Sequence, residues 1–150
     1  MAREFRFPVR VQWQGGRRTT AHVGEKAPLA VATPPEFKGT DPELWSPEDA
    51  FVTAAGSCLA VTIAALAERE QLPLRALDVR AEGVVGRRVD GRFGFVRLEQ
   101  SVDLETDGEH EEAARALVAK AESGCLVSVS LDLPVETTVA VHVREPAAVA

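Results

Sequence analysis

Two cysteines, Cys58 and Cys125, are the residues of this 150-residue chain best suited to chemistry. A thiolate is a strong nucleophile and a redox centre, and without a secretory context two cysteines are not read as a structural disulfide framework. Cys58 is flanked by Gly56, Ser57 and Ala60, small neighbours that leave room beside a sulfur. An apolar helix pushes a thiol toward its neutral form, so reactivity there needs a nearby cation; the plain alternative is a thiol packing like alanine. Cys125 follows Gly124 at a predicted helix-to-loop junction, where the backbone can move and a second thiol can reach an oxidised first one. Packing is an equal account of it. Sequence separation says nothing about contact, since a bridge needs Cα atoms about 4.4–6.8 Å apart.

Other chemistries find less support. His22, His110 and His142 are widely spaced, with no companion at metal-ligand spacing, so no metal is expected. Gly15 and Gly16 form a turn signal, not a phosphate loop or dinucleotide fingerprint, and no bound cofactor is expected. Ser128 and Ser130 lack the elbow motif of an acyl-transfer nucleophile. Glu48 and Asp49 are explained as acids at a helix N-terminus. Net charge is −6 with a pI near 5.1, and the arginines are scattered or paired, so nucleic acid is excluded as a partner.

The elements that must position these residues belong to an ordinary globular chain, 45% hydrophobic and 27% charged, of a length that suits one domain over 1–150. Residues 5–13 alternate through Phe5, Phe7, Val9, Val11 and Trp13, the period of a half-buried strand. After the Gly15–Gly16 turn, 19–23 can return as a hairpin partner, and 29–32 form a third short strand. Pro34, Pro35, Gly39 and Pro42 mark 33–46 as a loop. Ser46, Pro47 and Asp49 then spell a capping box, opening a helix that runs to about Gln71, where Pro73 stops it. Residues 50–67 carry no charge, which meets the crude length of a membrane span. Their Ala, Thr and Gly content, the tight acidic flanks and the lack of an aromatic belt favour a buried central helix instead. One small subunit can hardly enclose a helix apolar on nearly every face; a homodimer can. Strands are predicted at 78–85 and 94–104 around Asp90 and Gly91, a helix at 109–123 ended by Gly124, and a last strand at 136–143. The sum is an α+β domain, antiparallel sheet with a buried central helix and a second helix. The charged first residues hold no apolar core of signal-peptide length, so a cytoplasmic protein is expected.

Four segments, in order, resemble the OsmC/Ohr family of osmotically inducible and organic-hydroperoxide-resistance proteins. Gly15, Gly16 and Arg17 are similar to its GGR turn, and TPPEF at 33–37 to its TP-x-E-L loop. Ser46, Pro47 and Glu48 stand for its N-P-E, ten residues ahead of Cys58. The stretch EAARALVAKAESGCLVS at 112–128 resembles its EAA-x-ALV-x-x-A-H-x-x-C-P-x-S segment, departing at Glu122 for His and Leu126 for Pro. Together these segments cover most of the chain.

The resemblance implies a thiol peroxidase on an intertwined homodimer, acting on organic hydroperoxides with an external dithiol, typically lipoyl-linked, as reductant. It implies Cys58 as the peroxidatic thiol, Cys125 as the resolving one, Arg17 as the cation holding the thiolate, and Glu48 as the carboxylate orienting that arginine. Arg18 is an adjacent rival for Arg17. Ten helical residues at 1.5 Å rise set Glu48 about 15 Å from the Cys58 of its own chain, so either the arginine spans part of that gap or Glu48 serves the partner's Cys58. The second arrangement is favoured, because two-fold symmetry would build two equal sites. Phe37, Trp45 and Phe51 are candidate walls of an apolar pocket, or ordinary core and interface residues. A redox sensor or small-molecule binder on the same dimer, or a structural dimer whose cysteines merely pack, are the rival readings.

Overall fold

A reciprocal cap starts the long helix α1 (Pro47–Glu70) in the computed structural model of the chain. The Asp49 amide donates to Ser46 Oγ at 3.0 Å, and the Ser46 amide to Asp49 Oδ2 at 2.8 Å, satisfying two N–H groups that a helix start otherwise leaves orphaned. The far end closes as a Schellman motif. Gln71 adopts a left-handed φ of 56°, its amide donates to Glu68 O, and the Leu72 amide donates to Ala67 O. The structure describes residues 3–144; the outermost parts of the expected 1–150 domain, residues 1–2 and 145–150, lie outside the described residues. The chain forms two compact units, one ending at Ala50 and one beginning at Phe51.

The N-terminal unit is a three-stranded antiparallel sheet of β1 (Arg10–Trp13), β2 (Arg18–His22) and β3 (Leu29–Ala32), in that order. Gly15 and Gly16 make the first turn with φ of 98° and 55°. The strand expected from residue 5 is regular only from Arg10, which pairs with His22 at the end of β2. Beyond His22, Gly24 turns the chain at φ 54°, so the residues ahead of Arg10 have no β2 neighbour to pair with. Phe5, Phe7, Val9, Val11 and Trp13 are all exposed in the single chain, so the expected half-burial does not occur within it. The loop after β3 holds a short 3₁₀ turn, Pro35–Phe37, and needs Gly39, where a Cβ would lie 1.6 Å from Thr33 O.

In the C-terminal unit, β4 (Ala76–Arg87) and β5 (Phe93–Asp107) pair antiparallel, with a bulge between Val84 and Val85. A 3₁₀ turn at Gly108–His110 leads into α2 (Glu111–Gly124), then α3 (Leu126–Val129) and β6 (Val135–Arg144). The mixed α+β class is as expected, but one pairing is not. β6 runs parallel to β5, because the chain crosses over through α2 and returns to the end of the sheet where β5 began. Alternate residues Leu98, Gln100, Val102, Leu104 and Thr106 of β5 are buried. The core joins Val102 and Leu104 to Ala114, Leu117, Val118 and Ala121 of α2 and to Leu59, Ile63 and Ala67 of α1.

Helix α1 is therefore buried on one stripe, Ala55, Leu59, Ile63 and Ala67, each one helical turn from the next. The expectation of enclosure on most sides fails for the single chain. Its opposite face, including Val61 at 64% exposure, is open, and α1 is long and apolar enough to cross a membrane by length and composition alone. One sheet and one helix can cover only one side of a helix.

Candidate active site

The C-terminal unit brings Cys58 and Cys125 together. Cys58 lies mid-helix, partly buried, with its carbonyl accepting from Thr62 Oγ1 at 2.7 Å. Cys125 is fully buried at the junction of α2 and α3 and belongs to the hydrophobic core, against which Cys58 packs. Both sulfurs are free thiols, and they lie close enough for the Cys58 thiol to favour ionisation of Cys125.

Burial is the largest influence on the Cys125 thiol and pushes it up, as a low-dielectric site must. Contacts with the Ser128 hydroxyl and amide, the Cys58 thiol and the Val127 amide outweigh it and hold the thiol below its ordinary range. These contacts are loose. Cys125 precedes α3 without forming a fully aligned side-chain cap, so the nearby N–H groups act as partial positive charges more than as directed bonds. The buried second thiol is thus electrostatically primed. Ser128 fits no acyl-transfer motif, so its role is not evident from the sequence by that route. Its position three residues after Cys125, as in the C-P-x-S segment of the family, was the signal available.

The other two expected site residues belong to the N-terminal unit. Arg17 Nη1 donates to Phe37 O at 2.8 Å and to Lys38 O at 3.2 Å, and it forms no ion pair with Glu48 among the described residues. Arg18, the rival, is committed to Asp41 by a very short charged hydrogen bond. That bond holds the Asp41 carboxyl below its ordinary range. Glu48 lies in the first turn of α1, and its Oε2 is buried with no hydrogen-bond partner among the described residues. A carboxylate oxygen in that state is an unfilled acceptor, costly unless a donor reaches it.

Of the aromatic candidates, Phe51 stacks on Phe95 of β5, ring centroids 4.4 Å apart. Gly83 makes room beside them, since a Cβ there would come within 2.5 Å of Phe95 and 2.6 Å of Val52. Phe37 and Trp45 are partly exposed in the N-terminal unit. Among the described residues, no group of three or more His, Cys, Asp or Glu side chains is placed to hold a metal ion.

Comparison with known proteins agrees with this architecture. The family model described as OsmC-like protein matches residues 39–140. The uncharacterized protein YmaD of Bacillus subtilis is 29% identical over 144 residues, covering 92% of this chain and 94% of that one. An OsmC-like protein of unknown function from Vibrio cholerae superposes with a TM-score of 0.83 at 15% identity, over 91% of this chain and all of the other. An organic hydroperoxide resistance protein from Elizabethkingia anophelis gives 0.76 at 19% identity, over 96% of this chain and 100% of its own. Another, from Legionella pneumophila, gives 0.71 at 22%, over 95% and 100%. At such identities the structural likeness speaks for the fold.

Proposed function

This chain belongs to the OsmC-like protein family, and on that premise we propose that it is a cysteine-based peroxidase that reduces organic hydroperoxides. The observation that carries the proposal is the meeting of Cys58 with Cys125, a partly buried thiol within reach of a buried, primed one. The Cys58 thiolate attacks the distal peroxide oxygen, the O–O bond breaks, and the departing alkoxide takes a proton to leave as an alcohol. Cys58 is then a sulfenic acid. The Cys125 sulfur displaces the hydroxyl as water, giving a Cys58–Cys125 disulfide. An external dithiol, of lipoyl type in this family, becomes oxidised as it returns both thiols.

Arg17 is the cation assigned to the Cys58 thiolate and the departing oxygen. Arg18 is the weaker choice because Asp41 already holds it. Glu48, with its buried unfilled oxygen, is assigned to orient an arginine, and by the length of ten helical residues it serves the partner's Cys58. This requires a homodimer, whose second copy would cover the open face of α1 in place of lipid. The family match runs across Ala50, which supports treating 1–150 as one OsmC-like domain. A reducing cytoplasm is the compartment that suits two free thiols.

The test is loss of cumene hydroperoxide in the presence of dihydrolipoamide. Cys58→Ser abolishes consumption, while Cys125→Ser permits one oxidation and blocks the disulfide. A Cys58 that oxidises without turnover would instead make the protein a redox sensor.

A further inference from the structure

Residues of β5, α2, α3 and β6 line a cleft of about 250 Å³, with Gln100, Glu122, Ser128 and Thr137 as its polar groups. Its polar lining is unusually unsatisfied. Gln100 Nε2 and Thr137 Oγ1 are buried with no hydrogen-bond partner among the described residues, and Ser128 Oγ, equally buried, has only its loose contact with the Cys125 sulfur. Gln100 is only 3% exposed, and it faces inward because it sits on the buried phase of β5, between Leu98 and Val102. Thr137 is its direct partner in the parallel register of β5 and β6. Orphaned polar groups in a folded interior cost free energy, and several of them sharing one cavity mark a place built for something that hydrogen-bonds. At about 30 Å³ per molecule the cleft has room for several waters, and its polar groups can give each two or more partners.

The cleft also touches chemistry. Ser128 faces the Cys125 sulfur on one side and lines the cleft on the other. Glu122 lines it as well, at the position where the family segment has histidine. Resolution requires the Cys125 thiol to lose its proton inside the core, where bulk solvent does not reach it. We propose that this cleft is a bound-water site that serves Cys125, with Ser128 as the positioning residue that links the sulfur to waters held by Gln100 and Thr137, and with Glu122 at the end that receives the proton. The proton leaves the thiol through Ser128 and the waters to Glu122 as the sulfur forms its bond to Cys58. The hydroxide released from the sulfenic acid gains a proton from solvent, so the step yields one disulfide and one water. The titratable groups lining the cleft or reaching the sulfur are Cys58 on α1 and Glu122 on α2; β5 and β6 contribute the neutral Gln100 and Thr137.

The inference rests on the reading of Cys125 as a resolving thiol, so two readouts separate its failure from that of the peroxidase reading. In Cys58→Ala protein Cys125 is the sole thiol, and its ionisation is followed by thiolate absorbance near 240 nm. Adding Ser128→Ala raises the midpoint by about one pH unit, the tenfold weight of one hydrogen bond, whereas Ser128→Thr keeps it. In protein with both cysteines, one equivalent of cumene hydroperoxide is added and the Cys58 sulfenic acid is trapped with dimedone over time. Ser128→Ala and Thr137→Val each prolong the sulfenic acid by roughly tenfold and leave its rate of formation unchanged. An unmoved titration in Ser128→Ala overturns the role of Ser128 whether or not the protein turns over peroxide. Disulfide closure at the unmodified rate in Thr137→Val overturns the water site. Failure of Cys58 to form a sulfenic acid at all counts against the peroxidase reading, with the titration still deciding the role of Ser128.

Discussion

A thiol sealed among Leu117, Ala121 and Val102 would be an inert hydrophobe if burial alone acted on it. At Cys125 the dipoles of the α3 turn, the Ser128 hydroxyl and the Cys58 thiol reverse that outcome. Cys58 has different needs. Its helix supplies no charge for several turns, so an ionised sulfur there depends on a cation brought from elsewhere in the assembly. Arg17, whose guanidinium meets carbonyl oxygens instead of a carboxylate such as Asp41, is the one assigned. Arg17→Ala is expected to slow alkylation of Cys58 by iodoacetamide at pH 7 by about tenfold, because the thiolate would lose its cation. Arg18→Ala should leave that rate unchanged and act on the Asp41 loop instead. Equal rates in all three proteins would remove Arg17 from the site. The two cysteines and their neighbours were legible in the sequence because small residues and a helix end are local features. Gln100 and Thr137 were not singled out, although Gln100 occupies the apolar phase of an alternating strand and could have been noticed as a polar residue where Leu or Val belongs.

At the scale of elements, Gly83 shows how the sheet accommodates α1. The missing Cβ lets Val52 and Phe95 approach β4 from two sides, next to the Phe51–Phe95 stack. Gly83→Ala should therefore destabilise the protein by about 1–3 kcal/mol through overpacking, read as a fall in the urea midpoint with an unchanged slope. A midpoint within error of the parent would show that Phe95 swings away at no cost. The start of α1 was readable to the residue because Ser46 and Asp49 act through local backbone geometry, and its end falls one residue before the expected Gln71, which turns left-handed ahead of Pro73. The direction of β6 was not. Val135–Arg144 has the composition of a strand in either orientation, and only the crossover through α2 makes it parallel. The segment 5–9 illustrates the opposite error: its alternation is real, but a period of two reports a face that wants covering and does not say which chain covers it.

At the scale of the whole molecule, open apolar surface and surface charge set the conditions under which the fold persists. Val61 is exposed on the unburied side of α1, and a second copy is the cover proposed for that side. Sedimentation should then give about twice the 16.1 kDa chain mass, and Val61→Glu should return the protein to a single chain. A monomeric parent protein would leave Glu48 without its assigned partner. Hydrogen bonds from Arg18, Lys120 and Arg75 lower the carboxyls of Asp41, Glu70 and Asp107 in the folded state. Between the folded and unfolded values the unfolded chain binds more protons, so this stabilisation is complete above about pH 4–4.5 and is lost as pH falls through the folded values. The urea midpoint should hold steady from pH 7 to 5 and decline below 4, less steeply in 1 M salt because exposed ion pairs are screened. The parallel seating of β6 also carries a kinetic consequence. β4 and β5 adjoin across a short turn and can zip early, whereas β6 can dock only after the chain between Asp107 and Val135 has wound into its helices. Because Thr137 arrives with β6, the wall it contributes beside Cys125 is assembled last, and a chain released before that strand is made would carry both sulfurs in an unfinished chamber.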